Sequence, residues 1–497
     1  MRTREGAPVR AGPIRRRVTL GVAVWLLALL AACSSNRSQG DLSHAIGFWR
    51  GTPPSQEEAG WALVYQIVES GPQALSGHGY WYRDGRINAD FALDEVAYHE
   101  SDHSLHVRYA RVVFDAAVDP FEGTAAGTYS YPGGSETLTM TKVPEASVVG
   151  LYPRTSTAGE AYVYEYHPPE ETGDGWETAS LDDVGLDQHA MNTLVAKIIG
   201  REFGYIHSLL IVKDGTLAFE EYFYGYDREA LHTLASCTKS VASLLIGIAI
   251  DRGDIESVDQ EIYSFFPDYE RFRTDGWEKV KLEHILSMTA GLDWPEDWGG
   301  WFYVSRDYFE EVLKRPVVKD PGSEFDYVSP NATLLAGVIK QATGDHADEF
   351  AERRLFRPLG IEEYDWDEGR NRGYPRTDGT LKLRPRDMAK IGALVLSDGE
   401  WKGKRIVSEA WIEESTAAHT TDNGHEGYGY AWWSTEREFE GRTLTAVFAR
   451  GAGDQFIVVI SDLDLIVVTT GRNTTDEKRW STAKMIEEHI LPALGME

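Results

Sequence analysis

The segment from Ser236 to Gly253 reads SCTKSVASLLIGIAIDRG and constrains the fold more than any other stretch of the chain. It predicts a helix with apolar residues on all sides, and such a helix is buried in the centre of a domain. Lys239 lies in this helix, three residues after Ser236. A buried ammonium costs several kcal/mol unless other groups compensate its charge. The lysine therefore indicates a functional role.

The spacing of Ser236 and Lys239 predicts a nucleophile and its activating group. Residues three apart lie on one face of a helix, so the lysine lies one turn below the serine. The helix N-terminus adds unpaired N–H groups and a positive dipole end. Desolvation favours the neutral form of an amine, which can then take a proton from a hydroxyl. No G-x-S-x-G nucleophile elbow occurs in the sequence, which disfavours an α/β-hydrolase.

The Ser-x-x-Lys spacing alone is a weak signal. It recurs at Ser481 to Lys484, where we expect the serine to cap an amphipathic terminal helix. Ser236 as a mere helix cap and Lys239 as a snorkelling surface residue remain alternatives, although the apolar helix weakens both. Cys237 is interpreted as a small buried hydrophobe.

Two regions with different sequence patterns follow one another along the chain, which predicts an α+β protein. Residues 46–150 contain short aromatic and β-branched runs separated by Gly, Asp and Pro, which predicts an antiparallel β-barrel or meander. Residues 151–178 are rich in Pro and Gly and suit a linker. Residues 179–497 begin and end with strands and have helices between them, which predicts one sheet built from both ends of this domain.

The first 32 residues have the pattern of a signal peptide. Residues 1–17 contain six arginines and one glutamate, and residues 18–32 carry no charge. The uncharged run is short for a membrane span and suits the core of a signal peptide. We therefore expect an exported protein.

The signal peptide ends in Leu30-Ala-Ala-Cys33, which resembles the bacterial lipobox. That resemblance implies lipidation of Cys33, followed by a tether over residues 33–45. No aspartate follows the cysteine, which in lipoproteins is compatible with the periplasmic face of the outer membrane. We expect contact with the membrane only through this anchor. An ordinary signal peptide with a chance cysteine is the alternative.

Charge and metal-binding patterns exclude other classes of protein. The 79 acidic residues outnumber the 49 basic ones, which disfavours nucleic acid as a partner. His99 to His103 reads HESDH and matches a helical zinc motif, but its flanks alternate in polarity and Ser101-Asp102 suits a hairpin turn. We predict neither a metal nor a cofactor, and a zinc hydrolase is a remote alternative.

Five motifs in order resemble the serine β-lactamase-like hydrolases, a superfamily of class C β-lactamases, penicillin-binding DD-peptidases, esterases and 6-aminohexanoate-dimer hydrolases. The motifs are the SCTK helix, LEHILSMTAGLDW, GSEFDYVSPNATLLAGVIKQATG, PRDMAKIGALVL and ARGAGDQFIVVISDLDLIVVTTG. The resemblance covers about residue 174 to the C-terminus. It implies an antiparallel sheet flanked by helices, an all-helical lobe, and cleavage of a small-molecule ester or amide through an acyl-enzyme.

The resemblance also implies residue roles. Ser236 is expected to be the acylated nucleophile, Lys239 to hold or polarise its proton, and Tyr327 to act as base and then as acid. The oxyanion is expected to be held by the backbone N–H of Ser236 and one from the segment 451–453. The candidate oxyanion and substrate-binding residues are Ser236, Asn331, Arg450, Gly451, Ala452 and Gly453.

The chain departs from the family pattern at three places. Ser329 stands where the Tyr-x-Asn element has its asparagine, and Asn331 comes two residues later. Ala449-Arg450-Gly451 replaces the Lys-Thr-Gly triplet that holds the penicillin carboxylate, which disfavours β-lactamase and DD-peptidase action. Asp454 replaces a glycine and either disfavours anionic substrates or pairs with Arg450.

Two further questions stay open from the sequence. The tryptophans of residues 294–302 either line a substrate pocket or form a packed loop. A catalytically silent, penicillin-recognising or binding lipoprotein of the cell envelope is the alternative to the hydrolase.

Overall fold

The chain divides into two compact units, Met1–Tyr82 with Asn88–Pro144 and Glu145–Glu497 with Arg83–Ile87. The computed structural model describes residues 42–71, 74–83, 86–151, 153–154, 164–295, 299, 302–366, 371–422, 426–473 and 480–495. The predicted signal peptide, Cys33 and most of the predicted tether lie outside these residues. Within the described residues, no helix combines the length and the apolar character that crossing a membrane requires.

The first unit contains one nine-stranded antiparallel sheet, which confirms the predicted β domain as an open half-barrel. Its strands are β1 Gly47–Gly51, β2 Ala62–Gly71, β3 Ala74–Arg83, β4 Arg86–Ala92, β5 Glu95–His99, β6 Ser104–Tyr109, β7 Val112–Asp119, β8 Thr124–Tyr131 and β9 Gly134–Val143. Their order is β4-β3-β2-β1-β9-β8-β7-β6-β5, so the first strand, β1, lies inside the sheet between β2 and β9. A core that includes Trp49, Tyr65 and Phe114 packs within this unit.

The HESDH segment is a hairpin, as its alternating flanks predict. His99 at the end of β5 pairs with Ser104 at the start of β6, and the Asp102 carboxylate accepts the Ser104 N–H. His103 has a φ of 53° and its Nδ1 lies 2.7 Å from the Tyr98 hydroxyl. Among the described residues, no three His, Cys, Asp or Glu side chains are grouped so that they could hold a metal ion.

The second unit contains an eight-stranded antiparallel sheet and two small ladders. The strands are β10 Ile206–Lys213, β11 Thr216–Tyr222, β12 His232–Thr233, β13 Tyr364–Asp365, β14 Lys382–Leu383, β15 Glu400–Trp401, β16 Lys404–Arg405, β17 Thr420–Asp422, β18 Glu426–Tyr428, β19 Trp433–Phe439, β20 Arg442–Gly451, β21 Gln455–Ile460 and β22 Leu465–Gly471. The large sheet has the order β11-β10-β22-β21-β20-β19-β18-β17. Because β10 pairs with β22, the sheet joins both ends of the domain, as predicted.

Helices flank this sheet, and most of the described helices lie between β11 and β17. They are α1 Gln188–Ile199, α2 Cys237–Asp251, α3 Leu282–Leu286, α4 Tyr308–Leu313, α5 Leu334–Thr343, α6 Ala347–Ala351, α7 Arg357–Leu359, α8 Pro385–Leu396, α9 Glu409–Thr416, α10 Ser481–Met485 and α11 Leu491–Ala493. Helix α8 packs on β21 and β22, and α2 packs on β20 and α5. Residues 237–249 of α2 are all buried, which confirms the central helix that the sequence predicts.

Candidate active site

Ser236 and Lys239 lie together at the start of α2. Lys239 is 1% exposed, and its Nζ donates hydrogen bonds to Ser236 Oγ at 2.8 Å and to the backbone oxygen of Asp378 at 2.6 Å. These two acceptors compensate the buried amine, which would otherwise be costly to bury. The candidate nucleophile and the lysine nitrogen are therefore in direct contact.

A strained turn presents the serine ahead of the helix. Ala235 has a φ of 44°, a conformation that costs a non-glycine residue of the order of 1 kcal/mol or more. Hydrogen bonds hold the turn on both sides, from Leu234 N to the Leu381 oxygen and from Ala235 N to Thr233 Oγ1. The β12–β14 ladder therefore anchors the segment that carries Ser236.

Tyr327 is the third group at this point. Lys239 Nζ lies 5.2 Å from the centre of the Tyr327 ring, which also packs against the Trp433 and Tyr428 rings at 5.7 and 6.0 Å. Burial, followed by charge repulsion from Tyr327, raises the pKa of Tyr428 well above its ordinary value. Tyr428 therefore stays protonated. Of the two tyrosines, it is Tyr327 that borders the cavity.

The end of β20 lies against the serine turn. A Cβ atom on Gly451 would lie 2.3 Å from the Leu234 oxygen and 3.1 Å from Ala235 Cβ, so only glycine permits this approach. The next residue, Ala452, lines the same cavity as Ser236, and Gly453 follows with a φ of 90°. The backbone N–H groups of Ser236 and Ala452 are thus the two candidate oxyanion donors.

The cavity over Ser236 has a volume of about 830 Å³. It is lined by Ser236, Ser323, Glu324, Phe325, Asp326, Tyr327, Ser329, Thr420, Thr421, Asp422, Trp433, Arg450, Ala452 and Trp480. Ser236 and Tyr327 therefore line a large, partly acidic and partly aromatic cavity, and the buried Lys239 lies beside both of them.

Arg450 reaches this cavity, but its guanidinium is already engaged. Its Nη1 donates to Glu426 Oε2 at 2.7 Å, and the group stacks over the Trp433 and Trp480 rings at 3.9 and 4.6 Å. A basic group held by a carboxylate and two aromatic faces is less able to bind the carboxylate of a substrate. Glu426 and Trp480 carry no sequence signal that would identify this role.

Asp454 does not pair with Arg450. It is fully buried, and its Oδ2 accepts Asn473 Nδ2 at 2.6 Å and the backbone N–H of Ser481 at 3.2 Å. Burial raises the pKa of Asp454 to about 6, although these hydrogen bonds lower it in part. The carboxylate thus caps α10, so the expectation that Ser481 itself is the cap is wrong. The Ser481 hydroxyl was the obvious local candidate, and tertiary packing supplied a stronger acceptor.

Asn331 lies behind the cavity. It is 3% exposed, it is not among the residues that line the cavity, and its Oδ1 accepts the Trp294 indole N–H at 2.9 Å. Ser329 lines the cavity instead. Within residues 294–302, the Trp294 and Phe302 rings are 5.7 Å apart, and Phe302 is fully buried against Tyr308. The remaining tryptophans of this segment, residues 298 and 301, lie outside the described residues.

Cys237 is a buried packing residue. It is fully buried, its Sγ donates to the Gln455 backbone oxygen at 3.3 Å, and burial raises the pKa of its thiol far above the ordinary value. The thiolate form that nucleophilic chemistry needs is therefore disfavoured. This agrees with the interpretation from the sequence.

The second unit matches known proteins. A family model described as Beta-lactamase matches residues 207–487, which is more than half of the chain. The chain therefore belongs to the beta-lactamase family. The matched residues contain all three predicted catalytic side chains and exclude the nine-stranded unit.

Curated relatives cover only part of this chain. The 6-aminohexanoate-dimer hydrolase of Paenarthrobacter ureafaciens is 26% identical over 262 residues, which cover 46% of this chain and 64% of that protein. A protein named "Putative D-alanyl-D-alanine carboxypeptidase" from Salmonella agona is 26% identical over 212 residues, or 37% of this chain and 49% of that protein. The chain thus spans less than two thirds of either relative.

Solved structures confirm the predicted fold. A "putative beta-lactamase" from Bacteroides dorei has a TM-score of 0.52 and 16% identity, and covers 63% of this chain and 100% of that one. A "Putative 6-aminohexanoate-dimer hydrolase" from Bacillus anthracis has a TM-score of 0.51 and 21% identity, over 60% and 82% of the two chains. The architecture of the second unit is therefore that of a beta-lactamase-like domain.

Proposed function

We propose that this protein is a serine hydrolase that cleaves an ester or amide through an acyl-enzyme on Ser236. The observation that carries the proposal is the 2.8 Å hydrogen bond from Lys239 Nζ to Ser236 Oγ at the wall of an open cavity. A hydroxyl beside a buried amine can lose its proton as it attacks a carbonyl carbon.

The reaction is proposed to follow two displacement steps. Ser236 Oγ bonds to the carbonyl carbon, the carbonyl π bond opens to give an oxyanion, and the single hydroxyl proton is taken up by the Lys239–Tyr327 pair. The N–H groups of Ser236 and Ala452 hold the oxyanion, and such donors contribute about 3–4 kcal/mol each in comparable sites. Tyr327 returns the proton to the leaving alcohol or amine. Water then cleaves the acyl-serine bond and releases the acid.

The engaged state of Arg450 supports a neutral or cationic substrate. Its guanidinium binds Glu426, and the cavity wall also carries Glu324, Asp326 and Asp422. Carboxylate-bearing β-lactams are therefore expected to acylate Ser236 slowly. A small-molecule ester or amide fits the cavity, and one relative is named 6-aminohexanoate-dimer hydrolase.

Covalent labelling of the full chain in detergent tests this proposal. Wild type, Ser236→Ala and Tyr327→Phe are treated with a fluorophosphonate, a p-nitrophenyl ester and a fluorescent penicillin, and intact masses are measured. We expect phosphonate and ester adducts on wild type, none on Ser236→Ala, and acylation slowed about 10²- to 10⁴-fold in Tyr327→Phe. Folded protein that forms no adduct with any reagent would instead support the silent binding lipoprotein.

We also propose that Cys33 anchors the exported protein to the cell envelope through a lipid. The lipobox-like sequence that ends at this cysteine supports the proposal. Mass spectrometry of the N-terminal peptide and membrane fractionation of wild type and Cys33→Ala test it. An unlipidated, soluble wild-type protein would support the ordinary signal peptide.

A further inference from the structure

Trp294 and Tyr303 contact residues that lie behind the catalytic site. The Tyr303 hydroxyl donates to Asp378 Oδ2 at 2.8 Å. The backbone oxygen of the same aspartate accepts the Lys239 Nζ hydrogen bond at 2.6 Å. Asp378 therefore connects Tyr303 to the Lys239 amine, which faces the nucleophile.

Asp378 is held on both carboxylate oxygens. Arg376 donates from Nε to Oδ1 at 3.0 Å and from Nη2 to Oδ2 at 2.8 Å, and its guanidinium lies 4.0 Å from the centre of the Tyr303 ring. Asp378 is 2% exposed, so these charge-assisted bonds act where water screens them little. Fixing the side chain also fixes the peptide whose oxygen holds Lys239.

Trp294 and the turn 376–378 also hold the chain that follows Tyr327. The Trp294 indole N–H donates to Asn331 Oδ1 at 2.9 Å, and Thr377 Oγ1 donates to the Ala332 oxygen at 2.7 Å. Asn331 and Ala332 lie in the helical turn Ser329–Thr333, directly after the tyrosine. Trp294, Tyr303 and the turn 376–378 thus contact the supports of both Lys239 and Tyr327.

We propose that Trp294 and Tyr303 are positioning residues that set the distance between Lys239, Ser236 and Tyr327. The inference rests on the proposed function. A displacement of about 1 Å at reacting groups can cost about 100-fold in rate. The loss of either hydrogen bond therefore lowers the rate of acylation without removing any group that touches the substrate.

Tyr308 provides a matched control. Its hydroxyl donates to the Tyr303 backbone oxygen at 3.1 Å, and its ring stacks on Phe302. It thus lies in the same aromatic cluster and also makes one hydrogen bond, but that bond reaches neither Asp378 nor Asn331. A purely structural role of this cluster predicts equal effects of Tyr303→Phe and Tyr308→Phe.

The test compares Tyr303→Phe, Trp294→Phe and Tyr308→Phe with wild type in the full chain, measuring kcat and KM for p-nitrophenyl acetate and the Tm. We expect kcat to fall about tenfold or more in the first two variants with KM within about twofold. Tyr308→Phe is expected to retain the wild-type kcat even where its Tm falls equally. Arg376→Lys keeps the charge but loses the bidentate geometry, so it should also lower kcat.

Two results would overturn the inference and are distinguishable. An active wild type with the same kcat in Tyr303→Phe and Tyr308→Phe refutes the positioning role alone. A wild type that is neither labelled by fluorophosphonate nor active on the ester refutes the proposed function, and the positioning role with it.

Discussion

Lys239 Nζ bridges Ser236 Oγ and the backbone oxygen of Asp378, which are 2.8 and 2.6 Å away. The first contact comes from adjacent turns of one helix, whereas the second joins residues 139 positions apart. One amine therefore connects the nucleophile to a distant turn of the chain. This arrangement makes the site sensitive to changes that touch no substrate.

Replacing Lys239 with methionine should separate catalysis from folding. The thioether keeps an unbranched apolar stem in a buried position but removes the amine. We expect acylation of Ser236 to fall about 10²- to 10⁴-fold, because the hydroxyl loses its proton acceptor. The Tm should change little, since removing a polar group from a buried position offsets the loss of a donor to Asp378. Stopped-flow labelling and thermal unfolding measure both, and a variant labelled at the wild-type rate contradicts the proton role.

Gly451→Ala should disturb the oxyanion site through the backbone. The added Cβ would lie 2.3 Å from the Leu234 oxygen, so β20 must move away from the turn before Ser236. We expect a loss of about 1–3 kcal/mol in the free energy of unfolding and a lower kcat for esters. Gly134→Ala is the control, because its Cβ meets nothing closer than 3.4 Å. Equal effects of the two substitutions would argue against the close approach.

Glu426→Gln should release Arg450 toward the cavity. The carboxylate accepts Arg450 Nη1 at 2.7 Å, and an amide holds a guanidinium less strongly. We expect the labelling rate of an anionic penicillin, relative to a neutral ester, to rise by roughly tenfold, which corresponds to about 1.4 kcal/mol. Glu436→Gln, an exposed position on β19, is the control. An unchanged ratio would show that Arg450 does not limit the choice of substrate.

Asp454 should make stability depend on pH in the acid range. Its pKa of about 6 in the folded state lies above the ordinary value of 3.8, so the folded state binds this proton more tightly. The contribution of this group to stability is therefore greatest below about pH 4 and is lost as pH rises to about 6, by up to about 3 kcal/mol.

Asp454→Asn removes this titration and keeps an acceptor for the Ser481 N–H. The difference in the free energy of unfolding between variant and wild type should shift in favour of the variant from pH 4 to 6.5 and then level off. Urea unfolding at several pH values measures it, with the exposed Asp268→Asn as control. A difference that does not vary with pH would contradict the raised pKa.

Local patterns predicted much of the fold. The Asp214-Gly215 turn between β10 and β11 follows from the preference of these residues for positive φ, and both adopt it, at 51° and 77°. The central helix follows from a run of apolar residues that covers all sides of a helix and not just one face. Asn331 shows the limit, because family spacing made it a candidate for the cavity, whereas the Trp294 indole binds it behind the cavity wall.

The sequence by itself determined that Ser236 and Lys239 would meet, because residues three apart lie on one face of a helix and the apolar run buries that helix. It also determined the alternation that builds the sheets. Only the tertiary structure decided that Asp378 would hold the lysine, that Glu426 would engage Arg450 and that Asp454 would cap α10. Each of these contacts joins residues far apart in the chain. The geometry of such a contact depends on how whole helices and strands pack against one another, which no local pattern of residue types encodes.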